Sequence, residues 1–150
     1  MANAQAMCTS FKYELLGGVH IFYGTPDTFK IALYTSAATV LNATTTTYGT
    51  PSGELPAAGN YTSGGIPLTI VSPTTTAISD STGTAFLSFN NAVWSNVTWT
   101  GARYALIYNS TKANKAVAVL DFGSGKDVTA STFTVQMPAF DATNAIIRIQ

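Results

Sequence analysis

The chain has few charged side chains. Of its 150 residues, 7 are Lys or Arg and 7 are Asp or Glu, so the charged share is 9% and the formal net charge is +0. Average globular proteins carry roughly 25% charged residues. Proteins that bind nucleic acid or anionic membranes carry basic patches, so we predict no nucleic-acid partner. Near-zero net charge together with 46% hydrophobic residues favours association, which indicates a subunit of an assembly.

Cysteine and histidine each occur once, as Cys8 and His20. A single cysteine forms no disulfide within its chain, and such usage is typical of a reducing compartment. Structural zinc sites need several of these ligands. His20 stands in the apolar run VHIF, where a structural role is expected. We therefore predict no metal site and no cofactor site.

Long apolar runs are also missing. No uninterrupted stretch approaches the roughly 18 apolar residues of a membrane-spanning helix. The opening MANAQAMCTS has no basic segment followed by an apolar run, which a secretory signal would need. The sequence predicts a soluble protein without a membrane partner.

Acidic residues are present but scattered along the chain. They are Glu14, Asp27, Glu54, Asp80, Asp121, Asp127 and Asp141. A glycosidase needs two facing carboxylates on a rigid scaffold, and nothing in this spacing brings two of them together. The triplet Asp121-Phe122-Gly123 lacks every other kinase motif. The sequence predicts no catalytic residue and no enzyme activity.

The strongest structural signal is a pair of apolar runs joined by a polar turn, ARYALIYNSTKANKAVAVLDFG, over residues 102–123. It predicts a β-hairpin with strands at residues 103–108 and 116–122 and a turn over residues 109–115. Alternation places Tyr104, Leu106 and Tyr108 on one face of the first strand and Ala105 and Ile107 on the other. Because both faces are apolar, we expect cover on both sides, from a sandwich or from an oligomer interface.

Other strand-length runs recur at intervals of about ten residues. They lie at residues 19–23, 27–35, 66–71, 84–90, 92–100, 128–137 and 145–149, with a loop over residues 72–83 and a turn over residues 123–126. This spacing is typical of an all-β protein. We predict a single domain over residues 1–150, a β-sandwich of jelly-roll-like or immunoglobulin-like type with about eight strands and one short N-terminal helix.

Three segments lie outside these strands. Residues 1–8 form a small polar N-terminal arm, which is mobile unless something holds it. Residues 11–16 form the helix, with Thr9 or Ser10 as its cap and two glycines at its end. Residues 36–65 form a long polar excursion, expected to be exposed apart from a short strand piece near residues 46–48.

The helix is either a lid on one end of the sandwich or a docking element for a neighbouring subunit. Exposed excursions often carry partner contacts, and aromatic side chains beside polar loops suit protein interfaces. On this basis we predict a set of partner-binding residues. They are Met7, Phe11, Leu15, Leu16, Tyr48 and Tyr61.

The hairpin and the strand that follows it carry a resemblance to a known group of proteins. The stretch ARYALIYNSTKANKAVAVLDFGSGKDVTASTFTVQMP, followed by NAIIRI, resembles small β-rich virion structural proteins of tailed bacteriophages. In that group an ALIYN strand, a polar turn, an apolar strand ending in DFG and a GTFTVQMP-like strand recur. The segments MCTSFKYELLGGVHIF and DTFKIALYTSAA look similar to the same group, and residues 36–65 do not. A glycine is usual where this chain has Ala130-Ser131 before Thr132, which alters a turn.

The resemblance implies a particle subunit that is not an enzyme, on either the head or the tail. We favour a capsid decoration (cement) protein, made in the host cytoplasm and bound on the capsid surface. It is expected to be a homotrimer that binds the major capsid protein. The alternative is a tail or fibre component contacting tail proteins or host-surface glycans, for which Trp94 and Trp99 should form an exposed aromatic cluster. A third hypothesis, a carbohydrate-active enzyme on a jelly-roll scaffold, needs two carboxylates within about 10 Å in one groove.

Overall fold

The structure, a computed structural model, describes residues 2–71, 79–81 and 83–150. Within these residues the chain forms one helix and nine strands. The helix α1 is Thr9–Leu16, and the strands are β1 (Ala6–Met7), β2 (Phe29–Thr39), β3 (Ser52–Glu54), β4 (Ile66–Leu68), β5 (Ser79–Ser81), β6 (Thr84–Leu87), β7 (Ala92–Asn109), β8 (Lys115–Val135) and β9 (Ile147–Ile149). The predicted all-β class with one short N-terminal helix is confirmed.

The strands form two antiparallel sheets. The larger is curled and has the order β1-β8-β7-β2-β3, with β4 also pairing with β2. The smaller has the order β5-β6-β9. The predicted strand at residues 27–35 is confirmed as β2, which runs on to Thr39. The loop predicted over residues 72–83 is wrong at residues 79–81, which form β5; residues 72–78 and 82 lie outside the described residues.

The long hairpin of β7 and β8 forms the middle of the larger sheet. The two strands predicted at residues 92–100 and 103–108 are one strand of 18 residues. The turn predicted over residues 123–126 is wrong, because these residues lie inside β8, which is 21 residues long. Extra residues bulge out of the ladder there, and Gly123 supplies the left-handed φ of 77° that the bulge uses. The predicted turn over residues 109–115 is confirmed.

The strand predicted over residues 19–23 is wrong. The Ile21 N–H donates to the Asp27 carboxylate at 2.9 Å rather than to a neighbouring strand. The side chains still alternate, with His20 and Phe22 buried. A loop that packs every second residue inward therefore shows the same period-two pattern as a half-buried strand.

Helix α1 begins without the predicted cap. Its N-cap residue is Cys8, in extended conformation and with no side-chain hydrogen bond, whereas Thr9 and Ser10 lie inside the helix. The Thr9 N–H donates to the Ala43 carbonyl at 2.8 Å, so the backbone of the excursion satisfies this free donor. The helix ends at Gly17 as predicted.

The N-terminal arm is held in place. The Asn3 amide nitrogen donates to the Ala38 carbonyl at 2.6 Å, and its oxygen accepts from the Leu41 N–H at 3.0 Å. The Ala4 N–H also donates to Leu41, at 2.9 Å, and the arm then joins the edge of β8 as β1. The arm is therefore part of the fold and contacts the start of the excursion.

Residues 36–65 fold back onto the sheet, so the predicted exposure is wrong for the part that includes the buried Leu41, Leu55 and Tyr61, while residues 56–60 are exposed as predicted. The Glu54 carboxylate accepts hydrogen bonds from the Tyr48 hydroxyl at 2.5 Å and the Tyr61 hydroxyl at 2.9 Å. The Tyr48 ring stacks on Tyr108 of β7 with centroids 4.7 Å apart. Buried apolar side chains such as Leu55 make this return favourable.

Strand β7 is buried on both faces over residues 104–109, as expected for the predicted strand at residues 103–108. The excursion covers the face of Tyr108, whose hydroxyl donates to the Gly64 carbonyl at 2.8 Å. The loop after helix α1 reaches the opposite face, where Asn109 contacts His20. Both covers come from the same chain, so the two apolar faces of β7 need no second subunit.

Candidate interaction surface

Two of the scattered acidic residues meet around His20 in the interior. The His20 Nε2 lies 2.9 Å from Oε2 of Glu14, and its Nδ1 lies 2.9 Å from the side-chain nitrogen of Asn109. The same Asn109 nitrogen donates to Oδ2 of Asp27 at 2.7 Å. The network of Glu14, His20, Asn109 and Asp27 therefore ties α1 and the loop after it to the hairpin turn.

The hydrogen bonds of Asn109 fix the state of the His20 ring. The Asn109 Oδ1 accepts from the backbone N–H groups of Thr111 and Lys112 at 3.1 and 3.2 Å, so its side-chain nitrogen must be the atom that faces His20. This nitrogen donates, and the His20 Nδ1 must accept. The ring nitrogen Nε2 is then the one that donates to Glu14.

Two lysines complete the network at its edge. Lys115 donates to Oε1 of Glu14 at 2.5 Å, and Lys112 lies 3.6 Å from Oδ1 of Asp27. Burial alone would raise the pKa of the Glu14 carboxyl, but hydrogen bonds from Lys115 and His20 outweigh it and hold that pKa below its ordinary value. Burial would likewise raise the pKa of Asp27, and hydrogen bonds from the Ile21 N–H and Asn109 lower it.

This network offers no reactive group to a substrate. Both ring nitrogens of His20 are engaged, and Glu14 and Asp27 are buried. The hypothesis of a carbohydrate-active enzyme needs two carboxylates in one open groove, whereas these two meet inside the protein. The network acts as a structural junction between three chain segments.

Cys8 is buried, and burial followed by the nearby Glu14 charge raises the pKa of its thiol to about 12. A thiol of this kind is a poor nucleophile and a poor metal ligand at neutral pH. Among the described residues, no group of three or more His, Cys, Asp or Glu side chains could hold a metal ion. No helix in the described ranges is long and apolar enough to cross a membrane.

The six predicted partner-binding residues fall into two groups. Phe11 and Tyr61 are buried within the chain, and Tyr48 is half-buried with its hydroxyl on Glu54. These three aromatic side chains pack and hydrogen-bond within the chain itself. Of the other three, Leu16 is exposed while Met7 and Leu15 are half-buried against the core, and all three line one cleft. Their partner-binding role stays a prediction.

Met7, Leu15 and Leu16 line a cleft of about 320 Å³ between α1 and β9. Its other lining residues are Lys12, Arg148, Ile149 and Gln150. Leu15 and Ile149 also line a second cleft of about 70 Å³, whose remaining walls are Phe22, Ala85, Phe86, Leu87 and Ile147. We call these two clefts together the α1–β9 surface.

The α1–β9 surface exposes large apolar side chains. Leu16 is 92% exposed and Ile149 is 57% exposed. Tyr13, one turn before Leu16 on the helix, is 79% exposed but lines neither cleft. Single exposed apolar residues are ordinary, but a contiguous group marks an interaction site. The sequence did not indicate that Ile149 belongs here, because only the topology brings β9 next to α1. The alternation in IIRI places Ile147 and Ile149 on one face of β9, and Ile147 is buried.

Trp94 and Trp99 do not form an exposed cluster. Trp94 is 3% exposed and Trp99 is 8% exposed. Their rings meet edge to face at 6.1 Å, and Trp99 packs on Phe133 at 5.1 Å. An aromatic platform for a glycan needs open ring faces, so this geometry does not favour the tail or fibre alternative.

A third cleft, of about 400 Å³, follows the bent strand β8. Half-buried Phe122 and Phe133 form part of its wall, and Asp121 and Lys126 both lie in its lining. Charges of both signs, from Asp121 and Lys126, give it no clear ligand preference. The α1–β9 surface is therefore the better candidate for an interaction site.

Comparison of the chain with known protein families, with curated protein sequences and with solved structures found no match.

Proposed function

We propose that the chain is a capsid decoration (cement) protein of a tailed bacteriophage, which binds the major capsid protein as a homotrimer and stabilises the assembled shell. The resemblance of the hairpin and the following strand to small β-rich virion proteins supports a structural role in the particle. The observation that carries the docking role is the α1–β9 surface, with Leu16 and Ile149 open to solvent.

Exposed apolar surface of this kind is unfavourable in water, and its burial in a complex lowers the free energy. Burying it releases about 25 cal/mol per Å², and permanent interfaces are richer in apolar contacts than transient ones. A ligand that binds the assembled state and not the dissociated one stabilises the assembled state by mass action. Permanent docking through the α1–β9 surface would therefore strengthen the shell.

The homotrimer is part of the same proposal. Closed cyclic symmetry is the usual form of small oligomers, and a chain with a formal net charge of +0 meets little electrostatic resistance to self-association. A homotrimer can contact several shell proteins at once, which raises its effective affinity for the shell through multivalency.

The test is co-assembly with particles that lack the protein. Purified chain is mixed with such particles, and the bound mass and the temperature of particle rupture are measured. We expect saturable binding to heads and an upward shift in rupture temperature. Absence of binding to heads, together with binding to tails or to host cells, would contradict the decoration role and favour the tail or fibre alternative.

A further inference from the structure

The cleft between α1 and β9 carries positive charge on an apolar floor. Its lining includes Lys12 and Arg148 and no acidic side chain. Neither cation forms an ion pair with any carboxylate that the structure describes. The Arg148 guanidinium donates to the Thr143 carbonyl, which leaves most of its five donors free.

This arrangement differs from most of the cation sites elsewhere in the chain. Arg103, Lys112 and Lys115 each pair with a carboxylate, at 3.5, 3.6 and 2.5 Å. The whole chain has a formal net charge of +0, and the cleft lining holds two of its seven basic residues, while Asp141, whose pKa the Arg148 charge helps to lower, lies outside that lining. Two of the four basic residues without an ion pair among the described residues, Lys12 and Arg148, therefore lie beside exposed apolar side chains, whereas Lys30 and Lys126 lie elsewhere.

We propose that the α1–β9 surface binds an acidic, amphipathic segment of a protein partner. Apolar side chains of the segment lie against Leu16 and Ile149, and its carboxylates pair with Lys12 and Arg148. Arg148 suits a bidentate contact with a carboxylate. This inference rests on the proposed function only in taking this surface as the docking face.

Charge and shape together favour a peptide segment over other anions. Two cations are too few for nucleic acid, where binding grows with the number of phosphates neutralised. An inorganic anion would leave the exposed side chains of Leu16 and Ile149 in water. A segment that presents leucine-like side chains between carboxylates satisfies the apolar floor and both cations at once.

The direct test uses two synthetic peptides of about 12 residues that share one pattern of leucines. One peptide carries Glu at the remaining charged positions and the other carries Lys. Binding of each labelled peptide to the full chain is followed by fluorescence anisotropy at low and high salt. We expect the acidic peptide to bind and the basic one to bind at least about fivefold more weakly, with the difference shrinking as salt rises.

Charge-reversal variants identify the residues responsible. Lys12→Glu and Arg148→Glu should each weaken binding of the acidic peptide about fivefold, and the double variant should prefer the basic peptide. The matched control is Lys126→Glu, which reverses an exposed lysine on β8 outside this cleft and should leave binding unchanged. Equal affinity for the two peptides, a preference for the basic one, or no binding of either at about 1 mM overturns the inference.

The same variants separate this inference from the proposed function. Binding to vesicles that contain anionic lipid is measured beside binding to the acidic peptide. Tighter binding of the chain to these vesicles than to the peptide also overturns the inference. If the wild-type chain binds heads and the Lys12→Glu and Arg148→Glu variants bind heads with the same affinity, the decoration role stands and the acidic partner is excluded. If the acidic peptide binds as described but heads do not, the decoration role fails and the acidic specificity stands.

Discussion

The two sides of helix α1 have opposite relations to the rest of the molecule. On the inner side, Phe11 is fully buried with its ring 4.8 Å from that of His20, and both carboxylate oxygens of Glu14 are hydrogen-bonded. On the outer side, Tyr13 and Leu16 are exposed to solvent. The inner side is explained by folding, whereas the outer side contributes little to folding and is the side that the proposed docking would use.

The inner side also explains why the outer side is presented rigidly. An eight-residue helix is too short to be stable alone in water. Contacts of Phe11 and Glu14 with the core hold it, and the Thr9 N–H is satisfied by the Ala43 carbonyl. A surface fixed in this way binds with a smaller entropy cost than a flexible one.

The largest expected effect comes from removing the inner anchor. Phe11→Ala leaves a cavity in the core and should lower the free energy of unfolding by about 3–5 kcal/mol. Tyr13→Ala, an aromatic-to-alanine change on the outer side of the same helix, should change it by no more than about 0.5 kcal/mol. Urea denaturation of both variants checks the contrast. Similar losses in the two variants would show that the sides do not differ as described.

A smaller effect is expected from acid, acting on the inner side. The pKa values of Glu14 and Asp27 in the folded chain lie below their ordinary values of 4.5 and 3.8. The folded state therefore binds fewer protons than the unfolded state in this range, and stability falls as the pH drops from about 5 to about 3. Above about pH 5 the contribution of both carboxylates is fully present.

Urea denaturation across this pH range tests that expectation. Glu14→Gln removes one of the two titrating groups, so its stability should start lower at neutral pH and decline less steeply in acid than that of the wild type. Parallel pH profiles for the two proteins would mean that Glu14 does not contribute through its charge.

Much of the fold could be predicted from the sequence because local patterns decide it. The alternation in β2 and the polar turn between β7 and β8 identify those elements directly. The continuity of β8 could not be predicted, because residues 123–126 contain the glycines and lysine typical of a turn and the partner strand β7 holds them in a bulge instead. The return of residues 36–65 to the sheet depends on Glu54 meeting Tyr48 and Tyr61, a long-range match that no local pattern shows.

The candidate surface could be predicted only in part. Met7, Leu15 and Leu16 were indicated by their place on and beside a short apolar helix, and the structure brings them together. Arg148 and Ile149 could not be added from the sequence, because they lie more than a hundred residues away along the chain and reach α1 through the pairing of β9 with β6. The burial of Phe11 and Tyr61 follows from packing against elements that their own neighbours in sequence do not reveal.

The most direct test of the account compares Leu16→Asp with Val93→Asp. Both changes place a carboxylate at an exposed apolar position, since Leu16 is 92% and Val93 is 48% exposed, and only Leu16 lines the α1–β9 surface. Binding of each variant to particles that lack the protein is measured beside its urea denaturation. We predict stability within about 0.5 kcal/mol of the wild type for both, with particle binding lost in Leu16→Asp and kept in Val93→Asp. Undiminished particle binding by a folded Leu16→Asp variant would contradict the claim that the outer side of α1 is the docking face.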